Sequence, residues 1–410
     1  MTVCVQKFGG SSLITRELRE QVALRVIEKL HSQVQPVVVV SAMGREGDAY
    51  ATDTLLNLVK SVNPLPTSRN LDLLLSCGEI ISAVIMAETL NRLGYQAIAL
   101  TGWQAGIVTD QHHGNARIVS IDPEPLKQHL TKGKIPVVAG FQGYSTDQEV
   151  TTLGRGGSDI TAVALGAALG CKVVEIYTDV DGVKTADPRI IPEAPTLSSI
   201  TYNEIIELAH LGAKVVHPRA VEIAMEAGLE LKILATAQAG VGTTITRSPL
   251  VLGQHKKISD RVVTGIAHLA KRAHVKISGC DDFNNSPVTL KIFEILAENK
   301  VSVDLIYLSP ELIAFIVDDE VSALVKEVLS NLGLNISVEQ GYAKVSVVGA
   351  GMHGVPGVMA RVVRCLEKVN VPIYQTTDSH ANISCLIREK DLAVAVRALY
   401  EEFDLSKGVS

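Results

Sequence analysis

Short apolar runs, each closed by glycine or a small polar residue, set the layout of the chain. Residues 2–8 read as a strand that stops at Gly9-Gly10-Ser11-Ser12. An amphipathic stretch follows at about 16–31, and then the apolar run 36–40. Strand, glycine turn, helix and buried strand make a βαβ unit, which predicts a parallel sheet. The rhythm continues. Apolar runs at 97–100, 136–140 and 173–177 predict further buried strands, and helices are expected over residues up to 90 and over 160–169 and 202–211. In this scheme Glu79, in Ser76-Cys77-Gly78-Glu79, falls at a helix start.

Beyond a polar connector at 239–261 the chain repeats itself. Strand, polar turn, helix and strand at 274–278, 280–287, 288–299 and 301–307 are copied at 344–348, 349–356, 357–370 and 371–374. The offset is about 70 residues, the size of a ferredoxin-like module. Each copy continues with another strand, at 312–317 and 382–387, and a second helix.

Composition narrows the class. The 410 residues are 47% hydrophobic with 4% aromatics, which suits an α/β chain with buried parallel strands. A formal charge of −6 provides no basic field for nucleic acid. No run is expected to match the ~18–20 apolar residues of a membrane span. Six scattered cysteines without a Cys-x-x-Cys pair suit reduced thiols and a cytoplasmic setting.

The candidate chemistry gathers at strand ends. Thr151-Thr152-Leu153-Gly154-Arg155-Gly156-Gly157-Ser158-Asp159 lets backbone N–H groups approach a ligand, and the helix behind it favours an anion. Arg155 offers a planar fork for a carboxylate, and Asp159 a group to orient a cation or a metal-bound phosphate. Lys7 ends the first strand, where open α/β sheets hold their ligands. The Walker A spacing is absent. Thr178, Asp179, Lys184 and Arg189 follow the strand at 173–177, a set suited to ribose and polyphosphate. Asp110, His112 and His113 form an incomplete metal set and read as a loop. Gly349-Ala350-Gly351-Met352-His353-Gly354 imitates a dinucleotide fingerprint, but the unit behind it is too short for a two-half Rossmann domain.

Five blocks, in order, resemble the aspartate kinase family: Lys7-Phe8-Gly9-Gly10-Ser11-Ser12, Ser76-Cys77-Gly78-Glu79, Gly154-Arg155-Gly156-Gly157-Ser158-Asp159, Thr178-Asp179-Val180-Asp181-Gly182 and Gly212-Ala213-Lys214-Val215-Val216-His217-Pro218-Arg219. The resemblance implies an αβα sandwich of the amino-acid kinase type over 1–240. It further implies two ferredoxin-like ACT modules, at 262–335 and 342–410.

It also implies transfer of the ATP γ-phosphoryl group to the side-chain carboxylate of L-aspartate, with Mg²⁺ carried on the phosphates. Lys7 and Asp159 become the catalytic pair. Arg155, Glu79 and Ser158 hold the substrate, with Thr52 in a minor part because 45–53 departs from the family's commonest wording. Phe8, Gly9, Gly10, Ser41, Thr178, Asp179, Lys184, Arg189 and Lys214 line the nucleotide with Lys7. Asp281, Asn285, Asp304, Met352 and Asp378 are expected around an effector: lysine, threonine or diaminopimelate. A homodimer through the ACT modules is expected. The competing readings are an inactive amino-acid sensor and another amino-acid kinase, such as a glutamate 5-kinase.

Overall fold

The computed structural model describes residues 2–213, 215–237, 240–247, 262–352 and 354–407. The first half contains β1 (Thr2–Phe8), α1 (Arg16–His31), β2 (Val34–Val40), α2 (Thr52–Val62), α3 (Ser68–Arg92) and β3 (Ala97–Leu100). Then come β4 (Ile107–Thr109), β5 (Ile118–Ile121), α4 (Glu124–Thr131), β6 (Ile135–Ala139), β7 (Gln142–Ser145) and β8 (Val150–Thr152). It closes with α5 (Gly157–Ala168), β9 (Val173–Thr178), β10 (Ser199–Thr201), α6 (Tyr202–His210), α7 (Pro218–Ala227), β11 (Glu230–Ala235) and β12 (Thr243–Thr246).

Eight of these strands form one sheet in the order β10-β12-β11-β9-β1-β2-β6-β3, parallel except for the β11–β12 pair. β1 lies inside it, with Lys7 in register with Val39 of β2 and Ile176 of β9. Alternate side chains of the same strands feed two cores. Val22, Val26, Met86 and Leu90 of α1 and α3 pack on Phe8, Val38 and Val137. On the other face Ile160, Val163, Leu208 and Val221 of α5, α6 and α7 pack on Val5, Val39 and Ile176. This is the αβα sandwich. It places the C-terminal ends of β1, β2, β6 and β9 along one rim.

Several sequence expectations change. Glu79 does not start a helix: α3 runs unbroken for 25 residues, so the carboxylate sits mid-helix. Its segment is also long and apolar enough to cross a membrane by length and composition, contrary to expectation, although half of that window is buried inside the fold. Thr52 belongs to α2 rather than to a loop. The four-stranded sheet β5-β4-β7-β8 was not foreseen, since its strands are only three or four residues long.

The second half contains β13 (Gly265–Ser278), α8 (Pro287–Glu298), β14 (Asp304–Leu308), β15 (Ile313–Asp318) and α9 (Ser322–Leu329). β16 (Asn335–Val348), α10 (Val358–Lys368), β17 (Gln375–Asp378), β18 (Asn382–Arg388) and α11 (Leu392–Glu402) complete it. Residues 371–374, expected as strand, precede β17 instead. The two repeats were expected as modules at 262–335 and 342–410. They share one sheet, β14-β15-β13-β16-β18-β17.

The repeats also exchange strands. Residues 272–277 of β13 pair with β15, whereas 265–269 pair with 344–348 of β16, which in turn pair with β18. The cores follow the same division. Ala273, Val275 and Ile277 pack with α8 and α9, while Val263 and Ile266 pack with α10 and α11.

Candidate active site

At the rim of the large sheet the turn after β1 touches the chain leaving β2. Gly44 N donates to Gly10 O at 3.1 Å, and a Cβ on Gly10 would lie 2.1 Å from Ala42 O. Only glycine admits that approach. Lys7, at the end of β1, points its Nζ to within 2.7 Å of Asp159 Oδ1, and both side chains are largely enclosed. The other oxygen, Oδ2, accepts from His217 N at 3.2 Å. Asp159 is the third residue of α5, so the helix start also favours its charge.

The glycine loop is shaped by its neighbours. Gly156 caps α5 in the left-handed region, φ 68°, and a Cβ there would strike the His217 ring at 2.3 Å. Arg219 donates to Leu153 O and Ala116 O, holding the loop's approach. Ser158 is buried beside Gly140 and Val40 O, over the ends of β2 and β6. Arg155 is exposed and has no ion pair among the described residues.

Glu79 sits on the opposite wall. Its Oε1 accepts from Ala42 N at 3.1 Å, and its buried Oε2 has no hydrogen-bond partner. Burial pushes this carboxyl up to about 8, with the Ala42 amide working against the shift. A buried carboxylate with one unsatisfied oxygen suits a cationic group. Next to it, Gly78 packs on Ala42 and on Tyr50 O, just before Thr52 at the head of α2.

A cleft of about 590 Å³ opens beside the glycine turn. Its walls include Ser11, Ser12, Arg45, Thr178, Asp179 and Thr236. Ser12 and Thr236 share a buried hydroxyl contact of 2.7 Å, and Thr178 Oγ1 donates to Asp179 Oδ1. Phe8 stacks on Tyr177 at 4.6 Å beneath the rim, a pair worth about 0.5–1.5 kcal/mol beyond its burial. Ser41 N donates to Phe8 O, which ties the strand ends together.

Two expected nucleotide residues are tied to neighbouring carboxylates. Lys184 bonds Asp181 and Thr196, and Arg189 bonds Asp187. Neither lines the cleft, but Asp181, the partner of Lys184, does. Lys214 lies outside the described residues. Among the expected effector residues, Met352 is a core side chain of the second repeat, packed with Val358 and Leu366. Asp304 is paired with Lys344 at 2.6 Å. Asp281, Asn285 and Asp378 are exposed; it is Asp282 that caps the turn, accepting from Asn284 N and Asn285 Nδ2.

His113 is held by Asp72 at 2.9 Å and His112 by Asp110, so the loop at 110–114 is built from carboxylate–histidine pairs. Sequence reasoning missed His217 and Arg45 as parts of the site. His217 stands inside a quoted motif. Arg45 has no signal beyond its place after Gly44.

Residues 2–235 match the amino acid kinase family and residues 345–403 an ACT domain. The chain is 42% identical over 407 residues to Aspartokinase 1 of Bacillus subtilis (strain 168), covering 99% of this chain and 100% of that protein. It is also 42% identical to the aspartokinase of Geobacillus stearothermophilus, covering 99% and 98%. The crystal structure of aspartate kinase from Synechocystis is similar at 36% identity and a TM-score of 0.55, over 98% of this chain and 69% of that one. Escherichia coli aspartokinase III, crystallised with aspartate and ADP, has the same fold, with a TM-score of 0.76 at 23% identity over 98% and 99%.

Proposed function

The chain belongs to the amino acid kinase family, among its aspartokinases, and from that premise we propose how its own residues carry the reaction. An aspartate side-chain carboxylate, with an ordinary pKa of about 3.9, is already ionised at neutral pH and needs no general base. One carboxylate oxygen attacks the γ-phosphorus of ATP, the bond to the β-phosphate oxygen breaks, and ADP leaves with that electron pair. No proton moves. The site's task is position and positive charge for a loose anionic transition state. Lys7 supplies that charge, and Asp159 aims it.

The single observation that carries this reading is the enclosed Lys7–Asp159 pair at the rim where β1, β2 and β6 end. Glu79, with its unsatisfied oxygen, takes the substrate ammonium. Arg155 and Ser158 take its α-carboxylate, and Thr52 borders the same wall. The nucleotide occupies the cleft of Ser11, Ser12, Thr178 and Asp179, with its phosphates toward Gly9, Gly10 and Lys7. Mg²⁺ neutralises phosphate charge when bound. Asp159 is engaged by Lys7 and His217 N, which suits an ion held by phosphates and water rather than by a protein cage.

The product, 4-phospho-L-aspartate, is the first intermediate toward lysine or diaminopimelate, threonine and methionine, and one of those end products is the proposed effector. Regulation is supported by how the second repeat meets the kinase half. Ala350 N and Thr264 Oγ1 donate to Glu204, Asn382 Nδ2 donates to Glu207 Oε2, and both carboxylates lie on α6. From α6 the chain reaches His217, whose amide holds Asp159. A shift in the effector repeats therefore has a short physical route to Lys7.

The edge strand β14 exposes Ile306, Tyr307 and Leu308, which favours a second copy of the chain as its partner. All six cysteines are free, in keeping with the cytoplasm. The inactive-sensor and glutamate-kinase readings are not favoured, because the aspartokinase relatives align over nearly the whole chain. Trapping the acyl phosphate with hydroxylamine, with lysine, threonine or diaminopimelate added in turn, tests the chemistry and the regulation together.

A further inference from the structure

The cleft carries an ion pair that the reaction as described does not use. Arg45, on the loop after β2, places Nη2 2.7 Å from Asp179 Oδ2, beyond the end of β9. Both side chains are more than half exposed, at 69% and 55%. A pair so exposed to water contributes little to stability. The backbone under the arginine is nonetheless fixed. Gly44 N donates to Gly10 O, and Arg45 N donates to Asp48 Oδ2 at 2.7 Å. The root is held while the guanidinium stays at the solvent edge.

Charge sharpens the point. Among the described residues lining the cleft, Arg45 is the one cation, set against Asp179 and Asp181. Asp181 is already paired with Lys184 at 3.1 Å, so Asp179 is the carboxylate that Arg45 must leave to meet polyphosphate. A guanidinium fork matches phosphate oxygens with two parallel hydrogen bonds, which a fixed acidic wall cannot offer. Because Gly44 touches Gly10, the loop stands at the phosphate end of the cleft and not at its far side.

The geometry points to Arg45 as a further phosphate-binding residue, one that exchanges Asp179 for a phosphate oxygen when nucleotide binds. This rests on the nucleotide reading of the cleft given above. The exchange also frees Asp179 to face the nucleotide, so one movement removes a blocking pair and adds a positive contact.

Calorimetric titration of the full chain with ADP and with adenosine, Mg²⁺ present, tests it on wild type, Arg45→Ala and Arg45→Lys. Loss of a charge-assisted contact is expected to weaken ADP binding about tenfold or more in Arg45→Ala. Arg45→Lys should fall between, and adenosine should bind all three proteins alike. Unchanged ADP affinity in Arg45→Ala overturns the inference. So does an equal loss for ADP and adenosine, because the arginine would then only shape the cleft. If wild type binds neither ligand, the nucleotide reading itself fails and takes this inference with it.

Discussion

Lys7 and Asp159, from two different elements of the sandwich, meet with Nζ 2.7 Å from Oδ1, and their side chains are only 14% and 11% exposed. The His217 amide on the other carboxylate oxygen fixes the aspartate, so the direction of the ammonium is set before any substrate arrives. Asp159→Asn keeps the shape but weakens that hold. It is expected to lower kcat about tenfold to a hundredfold with both KM values near wild type, as read by steady-state kinetics. A change confined to KM would assign the aspartate to binding alone.

Arg155 is exposed on the glycine loop with no ion pair among the described residues, unlike the tied Arg219 a short distance away. Arg155→Ala is expected to raise KM for aspartate steeply, by the equivalent of about 2–5 kcal/mol for a lost charge partner. KM for ATP should move far less. Equal losses for the two substrates would remove the arginine from the carboxylate site.

Glu79 gives the reaction a pH dependence. Burial raises its carboxyl from 4.5 to about 8, and only the ionised form can pair with an ammonium. Below pH 8 the ionised fraction drops about tenfold per unit, so kcat/KM for aspartate should climb with pH and level off near 8. Glu79→Gln should abolish that limb. The stability sign runs the other way. A carboxyl with a raised folded pKa costs stability as pH rises from its ordinary value through the folded one. The Tm of Glu79→Gln should therefore gain on wild type between about pH 4.5 and 8.

Much of the sandwich was legible because its buried strands are unbroken apolar runs with glycine at their ends, as at Val37–Val40 and Gly9-Gly10. The candidate site was legible as motifs: Lys7 meets Asp159, Glu79 reaches Ala42 after β2, and Ser158 lies beside Gly140 after β6. What the motifs could not carry is direction. Arg189 is tied to Asp187, which does not line the cleft, whereas Lys184 is tied to Asp181, which does. Met352 sits in a glycine-rich turn that looks open in sequence, yet packing turns its side chain into the core. Strand exchange between the repeats was hidden for a different reason. The strands expected at 274–278 and 344–348 are only the ends of fourteen-residue β13 and β16, and irregular pairing around 269–274 breaks the pattern that would have joined the halves.

The contact between Glu207 on α6 and Asn382 on β18 should carry part of the regulation. Glu207→Ala is expected to leave uninhibited kcat close to wild type while weakening end-product inhibition, with a coupling loss inside the usual range of about 1–3 kcal/mol. Inhibition curves for lysine, threonine and diaminopimelate would show it. Unaltered inhibition would take α6 out of the route.

The central claim is that Lys7 stabilises the phosphoryl group in flight between ATP and aspartate. The most direct measurement is the rate of hydroxylamine-trapped aspartyl phosphate formed by Lys7→Ala, set beside its melting temperature and its affinity for aspartate. The account predicts a fall in kcat of about 10²–10³, the range for losing one preorganised charge, with melting temperature and aspartate affinity near wild type. Turnover close to wild type in the folded variant would contradict it.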